Sequence, residues 1–379
     1  MIYRIVLALR HFFYDKGWKK SVKASVPTIC VGNITVGGTG KTPHTEMVLR
    51  LLLHSDDWAY SNIAVLSRGY KRKSKGFQIV PRSGTALQFG DEPLQMARKF
   101  PSVTVAVDKN RVRGCRLLTG TAPAPTGSAS VMPGPASAPT GPASVMPGPA
   151  SVMPGLDRAS QIIVLDDAFQ YRKLRADVNI VLVDYNRPVH KDKLLPWGRL
   201  RDLKSRLKAA DMVVVTKCPA YLDDWERSQW VKYLGVKPSQ KLFFSTFTYG
   251  TMEPVFPEDG DSRYTYSKRL VLFSGIANDA PLRSYLSDTY KIVRRIGFPD
   301  HHKYNQADIR SLGAAMKEFP TACLVTTEKD AQRIVDVKKV PLELRQRMFH
   351  LPVQATFLTP EEEAAFSAAL LEKLKPAVQ

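Results

Sequence analysis

The sequence predicts an α/β protein: a doubly wound, mostly parallel sheet, joined through a β-ribbon to a second, smaller α/β domain. Three observations carry this. Short Val- and Ile-rich runs alternate with helical stretches, the pattern of buried parallel strands with crossover helices. One of those runs passes into a glycine-rich turn that ends in Lys-Thr. After about Ser239 the texture changes to KLFFSTFTYG and YTYSKR, which read as β-ribbon, before new strand and helix units begin.

The chain has 379 residues, enough for two domains at roughly 150 residues each. Lys and Arg number 55 against 35 Asp and Glu, and the resulting +20 points to acidic partners: nucleic acid, an anionic membrane or phosphorylated small molecules. Cys30, Cys115, Cys218 and Cys323 lie far apart with no CxxC pair. That argues against a disulfide scaffold or a zinc ribbon and fits a reducing compartment. No apolar run reaches the ~20 residues needed to cross a bilayer, which excludes a multi-span protein.

Residues 1–20, MIYRIVLALRHFFYDKGWKK, place Ile2, Ile5, Val6, Leu9, Phe12 and Phe13 at helical spacing among Arg4, Arg10, Lys16, Lys19 and Lys20. No uninterrupted apolar stretch or small-residue cleavage site marks a signal peptide. Two readings fit, a helix lying in the membrane interface and a terminal helix packed on the domain. The mixture of aromatic and cationic residues favours the first.

Residues 121–155 form five heptapeptides with Gly127, Gly134, Gly141, Gly148 and Gly155 in register. Proline recurs through the repeat and charge is absent, so this is no coiled coil. Such a segment cannot bury enough apolar area to offset its ordering entropy, and it reads as a disordered insertion looping out of a domain.

Strands are expected at Thr28–Val31, Asn62–Leu66, Val103–Val107, Gln161–Leu165, Asn179–Val183 and Met212–Val215, and later at Arg269–Phe273, Ala322–Thr326 and Met348–Val353. The expected organisation is a surface helix at 1–20, a nucleotide-binding domain at 21–238, a ribbon linker at 239–268 and a smaller domain at 269–379.

The strongest chemical signal is VGNITVGGTGKTP, residues 31–43. A strand, a glycine-rich loop, Lys41-Thr42 and a helix follow in the order of a P-loop, whose amides cradle phosphates at a helix N-terminus. Thr35, Gly37, Gly38, Thr39, Gly40, Lys41 and Thr42 are the candidate nucleotide contacts, although Thr35 stands where the usual pattern has glycine. Thr42 would hold Mg²⁺ through its hydroxyl. A P-loop needs an acidic metal partner at a neighbouring strand end, and QIIVLDDAFQYR supplies Asp166 and Asp167. One carboxylate would hold Mg²⁺ or its water shell, the other orient that shell or the nucleotide. A guanine reader would need aspartate where VVTKCP has Pro219, so GTP specificity is not supported.

Taken in order, VGNITVGGTGKTP, SRGY (67–70), GDEP (90–93), LDDAFQ (165–170), LLPWGRLRD (194–202), FPDHH (298–302) and TTEKDA (326–331) resemble the tetraacyldisaccharide 4′-kinase family. The resemblance runs from the terminal helix to about Asp330, interrupted by the heptapeptide insertion. It implies transfer of the ATP γ-phosphate to the 4′-hydroxyl of an acylated glucosamine disaccharide 1-phosphate in lipid A synthesis. It also implies Mg²⁺ and a peripheral place on the cytoplasmic face of the bacterial inner membrane. A phosphoglycolipid in an anionic surface suits the +20 charge. Arg68, Arg72, Lys109, Arg111, Arg113, Arg172, Arg199 and Arg201 cluster around the motifs as candidate phosphate contacts. Arg68, Glu92, Arg111, Gln170 and Arg199 are taken as the substrate-binding set.

A sugar hydroxyl attacking phosphorus calls for a positioned proton acceptor. Asp91 in GDEP is the candidate, with His301 in FPDHH as its partner from the second domain, and the resemblance implies the same dyad. Asp91 could instead cap a helix, since Glu92 and Pro93 suit a first turn, and His302 could replace His301. His44, His190 and His350 read as ordinary histidines. The alternative to a lipid kinase is a membrane-associated P-loop ATPase or GTPase switch. No helix-turn-helix, zinc finger or RNP-type aromatic motif supports a nucleic-acid partner.

Overall fold

The computed structural model describes residues 2–121 and 159–375. All of the heptapeptide repeat except Thr121 lies outside the described residues. The strands, in chain order, are β1 Thr28–Asn33, β2 Ile63–Ser67, β3 Gln78–Ile79, β4 Thr104–Val107, β5 Ile162–Asp166, β6 Val178–Asp184, β7 Met212–Thr216 and β8 Lys241–Tyr249. There follow β9 Glu253–Pro254, β10 Arg269–Ser274, β11 Lys291–Gly297, β12 Cys323–Thr327, β13 Met348–Leu351 and β14 Val353–Phe357.

The large sheet runs β14-β8-β7-β6-β1-β5-β2-β4-β3. All its pairs are parallel except β14 with β8 and β3 with β4. Its central strands are buried along their length, which is why they are Val- and Ile-rich without alternation. β1 lies between β5 and β6, so chain connections diverge on its two sides and leave a crevice at the carboxyl edge. One face is covered by helix α2, Lys41–His54, and by the last helix, Pro360–Leu374. The other packs a separate apolar cluster that includes Cys115, Phe169 and Trp230. The smaller sheet runs β11-β10-β12-β13-β9, with only β9 antiparallel.

Three expectations on organisation are corrected. The single strand expected at Met348–Val353 is two, β13 and β14, in different sheets. Pro352 between them has no N–H to continue a ladder, and its carbonyl accepts from Gly250 N at 2.9 Å where the chain crosses between the units. The ribbon expected within 239–268 is instead β8 paired antiparallel with β14, Val353 opposite Tyr249 and Phe357 opposite Ser245. The smaller unit therefore occupies about 253–351 rather than 269–379. The chain's return to the large unit is driven by packing: Phe366 is fully buried and meets Phe243 edge-on at 5.1 Å. Truncating such a side chain costs about 3–5 kcal/mol.

Helix α1, Ile2–Asp15, docks by one face and leaves the other open. His11 Nε2 meets Asp202 Oδ1 at 2.6 Å, Tyr3 donates to the Arg201 carbonyl and Arg10 to that of Gln170. Ile2, Ile5, Val6, Leu9 and Phe12 remain exposed, as does Trp18 just beyond the helix. The segment is thus packed on the domain by one face and exposed on the other.

Candidate active site

The glycine-rich loop leaves β1 and enters α2 at Lys41, so the first amides of α2 face the crevice. Gly40 adopts φ 84°, and a Cβ there would meet the Phe247 ring at 2.3 Å, so only glycine fits. The loop is braced from strand ends: Asn33 Nδ2 donates to Thr39 Oγ1 at 2.7 Å, and Thr216 Oγ1 donates to the Thr39 carbonyl. Thr35, out of pattern by sequence, is buried and bridges to Leu200. It belongs to the frame of the loop, where the missing glycine is not needed. His44 supports the same loop. Its ring nitrogens meet the Gly40 carbonyl and Ser245 Oγ, each at 2.8 Å, and burial lowers its pKa to about 4.

Asp166 closes β5 beside β1. Ser67 donates to its Oδ2 at 2.9 Å, whereas its buried Oδ1 has no hydrogen-bond partner. Burial first, then the charges of Glu92 and Asp167, push its carboxyl up to about 6. Asp167, at φ 50°, is clasped by Arg201, which also donates to Asn33 Oδ1 at 2.6 Å. Burial alone would raise the Asp167 carboxyl, but Lys41 and Arg201 outweigh it and lower it. Lys41 is thus the cation facing Asp166, Asp167 and Glu92 together.

The helix Asp91–Lys99 starts at Gly90, so Asp91 is its first residue and not its cap. From the smaller unit, His301 Nδ1 comes within 3.5 Å of Asp91 Oδ2, and Arg333 contacts both groups. Burial alone would raise the Asp91 carboxyl, but the His301 hydrogen bond, Arg333 and Lys329 hold it far below the usual carboxylate range. His301 itself sits at φ 61°, a conformation costly for a non-glycine residue and frequent at functional sites. Its backbone is fixed by the Gly275 carbonyl, which also accepts from Arg333. His302 is occupied elsewhere, bonding Asp308 Oδ2 at 2.9 Å and stacking on Phe298. Glu92 pairs with Lys329, whose charge is the first cause of its lowered pKa.

The expected phosphate contacts divide in two. Arg68, Lys109 and Arg199 are exposed and make no side-chain hydrogen bond or ion pair among the described residues. Arg199 Nη1 reaches within 3.8 Å of where a Gly37 Cβ would lie. The others are held by protein groups. Arg111 is buried and donates to the carbonyls of Asp108 and Asp166, so it supports the end of β5. Arg113 pairs with Asp108, Arg172 with Asp15 and the His11 carbonyl, Arg201 with Asp167, and Arg72 ties its own loop at Ser74 and Gly76. Gln170 donates to the Asn33 carbonyl, bracing β1. Lys329 and Arg333 carry no expectation from sequence, although a spacing of four put them on one face of the helix Glu328–Ile334.

Among the described residues no cluster of three or more His, Cys, Asp or Glu side chains could hold a metal alone.

A family model described as tetraacyldisaccharide-1-P 4′-kinase matches residues 1–375. Curated tetraacyldisaccharide 4′-kinases include one from Phocaeicola vulgatus, 36% identical over 368 residues that cover 96% of this chain and 90% of the relative. That of Porphyromonas gingivalis is 36% identical, covering 96% and 92%, and that of Flavobacterium johnsoniae 34%, covering 99% and 95%. The fold is similar to the crystal structure of LpxK from Aquifex aeolicus in complex with ATP. The TM-score is 0.66 and the identity 24%, over 98% of this chain and 96% of that one.

Proposed function

The chain belongs to the tetraacyldisaccharide 4′-kinase family and is a kinase of lipid A biosynthesis, and we propose the following roles for its residues in moving the ATP γ-phosphate onto the sugar hydroxyl. The amides of residues 37–40 and the Lys41 ammonium hold the β- and γ-phosphates. Mg²⁺ fits at Thr42 and Asp166, where the partnerless buried Oδ1 of Asp166 offers a ligand. When bound, the ion neutralises charge developing on the phosphoryl oxygens. Asp167, fixed by Arg201, orients the metal's waters.

The Asp91–His301 pair receives the proton of the attacking 4′-hydroxyl. In a loose phosphoryl transition state the nucleophile carries little charge until late, so the placement of this pair matters more than its base strength. Arg333 and Lys329 act as positioning residues: they keep Asp91 and Glu92 ionised and tie the two units across the crevice. Arg68 and Arg199, exposed at the loop's rim, bind the anionic lipid.

The membrane reading follows from α1. With no helix among the described residues long and apolar enough to cross a membrane, the open face of Ile2, Ile5, Val6, Leu9 and Phe12 supports a helix lying on the cytoplasmic surface of the inner membrane. Trp197 and Val36, both exposed beside the loop, support an acyl-chain path from that surface.

One observation carries this account: the charge of Lys41 acts on Glu92, Asp166 and Asp167 alike, while Asp91, next to Glu92, meets His301 at 3.5 Å. The test is label transfer from γ-labelled ATP to tetraacyldisaccharide 1-phosphate. Label should appear on the lipid only with both substrates present. Release as inorganic phosphate, with or without lipid, would favour an ATPase switch.

A further inference from the structure

Beneath the C-terminal end of α1 lies a cleft of about 840 Å³ with no part in the chemistry above. Its walls come from the turn after α1, the segment 168–177 and the stretch around Arg206. Its acidic residues are all paired: Asp15 with Arg172, Asp177 with Lys23 at 2.8 Å, and Asp211 with Lys373 at 3.1 Å. Of its cations, Lys23 and Arg172 are taken up by those pairs, but the others are not. Lys20, Arg175 and Arg206 have no carboxylate partner among the described residues, and Lys19 only overlies the Phe13 ring.

Arg206 is the most telling. Its Nε is buried without an acceptor and its guanidinium lies 5.4 Å from the Phe169 ring centroid; burial first, then Arg172, disfavour its charge, and Asp202 and Asp15 offset this only in part. A half-buried guanidinium with no carboxylate in direct contact is costly unless a ligand supplies an acceptor. Next to the lining residues Gly17 and Lys19, Trp18 is 70% exposed, its ring 5.7 Å from that of the exposed Phe12.

We propose that this cleft binds the phosphate of an anionic glycerophospholipid headgroup, with Arg206 and Arg175 as its principal contacts and Lys19 and Lys20 at the mouth. A single phosphate ion would leave most of the volume empty, whereas phosphate with its glycerol fills more of it. A bound lipid would pin the end of α1 at the membrane and hold the Arg172 segment that carries it. The source of the lipid rests on the reading of α1 as a membrane-surface helix, but the anion site does not.

The test titrates the full chain with short-chain phosphatidylglycerol kept monomeric, and separately with inorganic phosphate, by phosphorus NMR. Saturable lipid binding is expected, weakened about twentyfold in Arg175→Gln/Arg206→Gln. Lys20→Gln/Arg175→Gln, confined to exposed positions, should show a similar loss and guards against misfolding at Arg206. Lys338→Gln/Lys339→Gln removes the same charge from the smaller unit and should bind as the unaltered protein does. Absence of saturable binding, or equal weakening by the remote pair, overturns the site. Inorganic phosphate binding as tightly as the lipid overturns the headgroup as its occupant. Phe12→Ser/Trp18→Ser should lose vesicle partitioning yet keep the monomer titration, so failure of the α1 reading is distinguishable from failure of the site.

Discussion

His301 Nδ1 stands 3.5 Å from Asp91 Oδ2 across the boundary between the two units, and the Arg333 guanidinium touches both. Neither half of the chain contains this arrangement alone. Asp91 opens a helix of the large unit, while His301 and Arg333 hang from the carbonyl of Gly275 in the smaller one. Anything that parts the units separates the dyad, and that ties the proton acceptor to domain geometry.

Lys41→Ala and Thr42→Ala should each reduce turnover by at least about a thousandfold, because phosphoryl transfer depends on charge neutralisation and placement. Steady-state kinetics with saturating lipid checks this. Near-full activity in either variant would remove the loop from the reaction.

Asp166 gives a pH signature. Its carboxyl, pushed up to about 6 by burial and then by Glu92 and Asp167, holds a proton more tightly in the folded chain than in the unfolded one. Its contribution is fully present below the ordinary value of 3.8 and is lost as pH rises through about 6. Without metal, Asp166→Asn should therefore be the more stable protein at pH 7, by up to a few kcal/mol, while being inactive. Mg²⁺ with ATP should raise the Tm of the unaltered protein more than that of the variant. Melting curves from pH 4 to 8 decide it, and parallel profiles would argue against the assignment.

Deleting residues 121–155 and joining Gly120 to Leu156 should leave activity within about twofold. The described residues that flank the insertion meet: Ser160 N donates to the Leu118 carbonyl at 2.8 Å. Loop length adds little closure cost, so a shortened connection should not disturb the helix or strand it joins. Soluble yield and kcat check this, and joint loss of both would show that the repeat supports the fold.

Phe12→Ser/Phe13→Ser should lower partitioning onto anionic vesicles while activity on detergent-dispersed lipid falls less. Co-sedimentation with phosphatidylglycerol vesicles reads the first quantity. Unchanged partitioning would leave α1 as a packing element held by His11 and Tyr3.

What sequence could convey here followed range. The central strands fall within a residue or two of expectation because each is a fully buried run with its own local composition. The loop around Lys41 was legible for the same reason. The ribbon was not: Tyr249 meets Val353 across the whole smaller unit, and no local pattern records that pairing. Resemblance and hydroxyl chemistry pointed to Asp91 and His301, but not to what lies between them. Arg333 and Lys329 carried no expectation, since only the fold sets them against Asp91 and Glu92. Conversely, Arg111 and Arg201 looked free for a phosphate and are engaged by Asp166 and Asp167.

The most direct test is a double-mutant cycle at the dyad. Asp91→Asn and His301→Ala should each lower kcat by about 10²–10⁴-fold with little change in the KM for ATP. If the two act as one unit, the double variant will be scarcely slower than the slower single. Multiplicative losses, or an unimpaired Asp91→Asn enzyme, would contradict a proton acceptor shared between the two units.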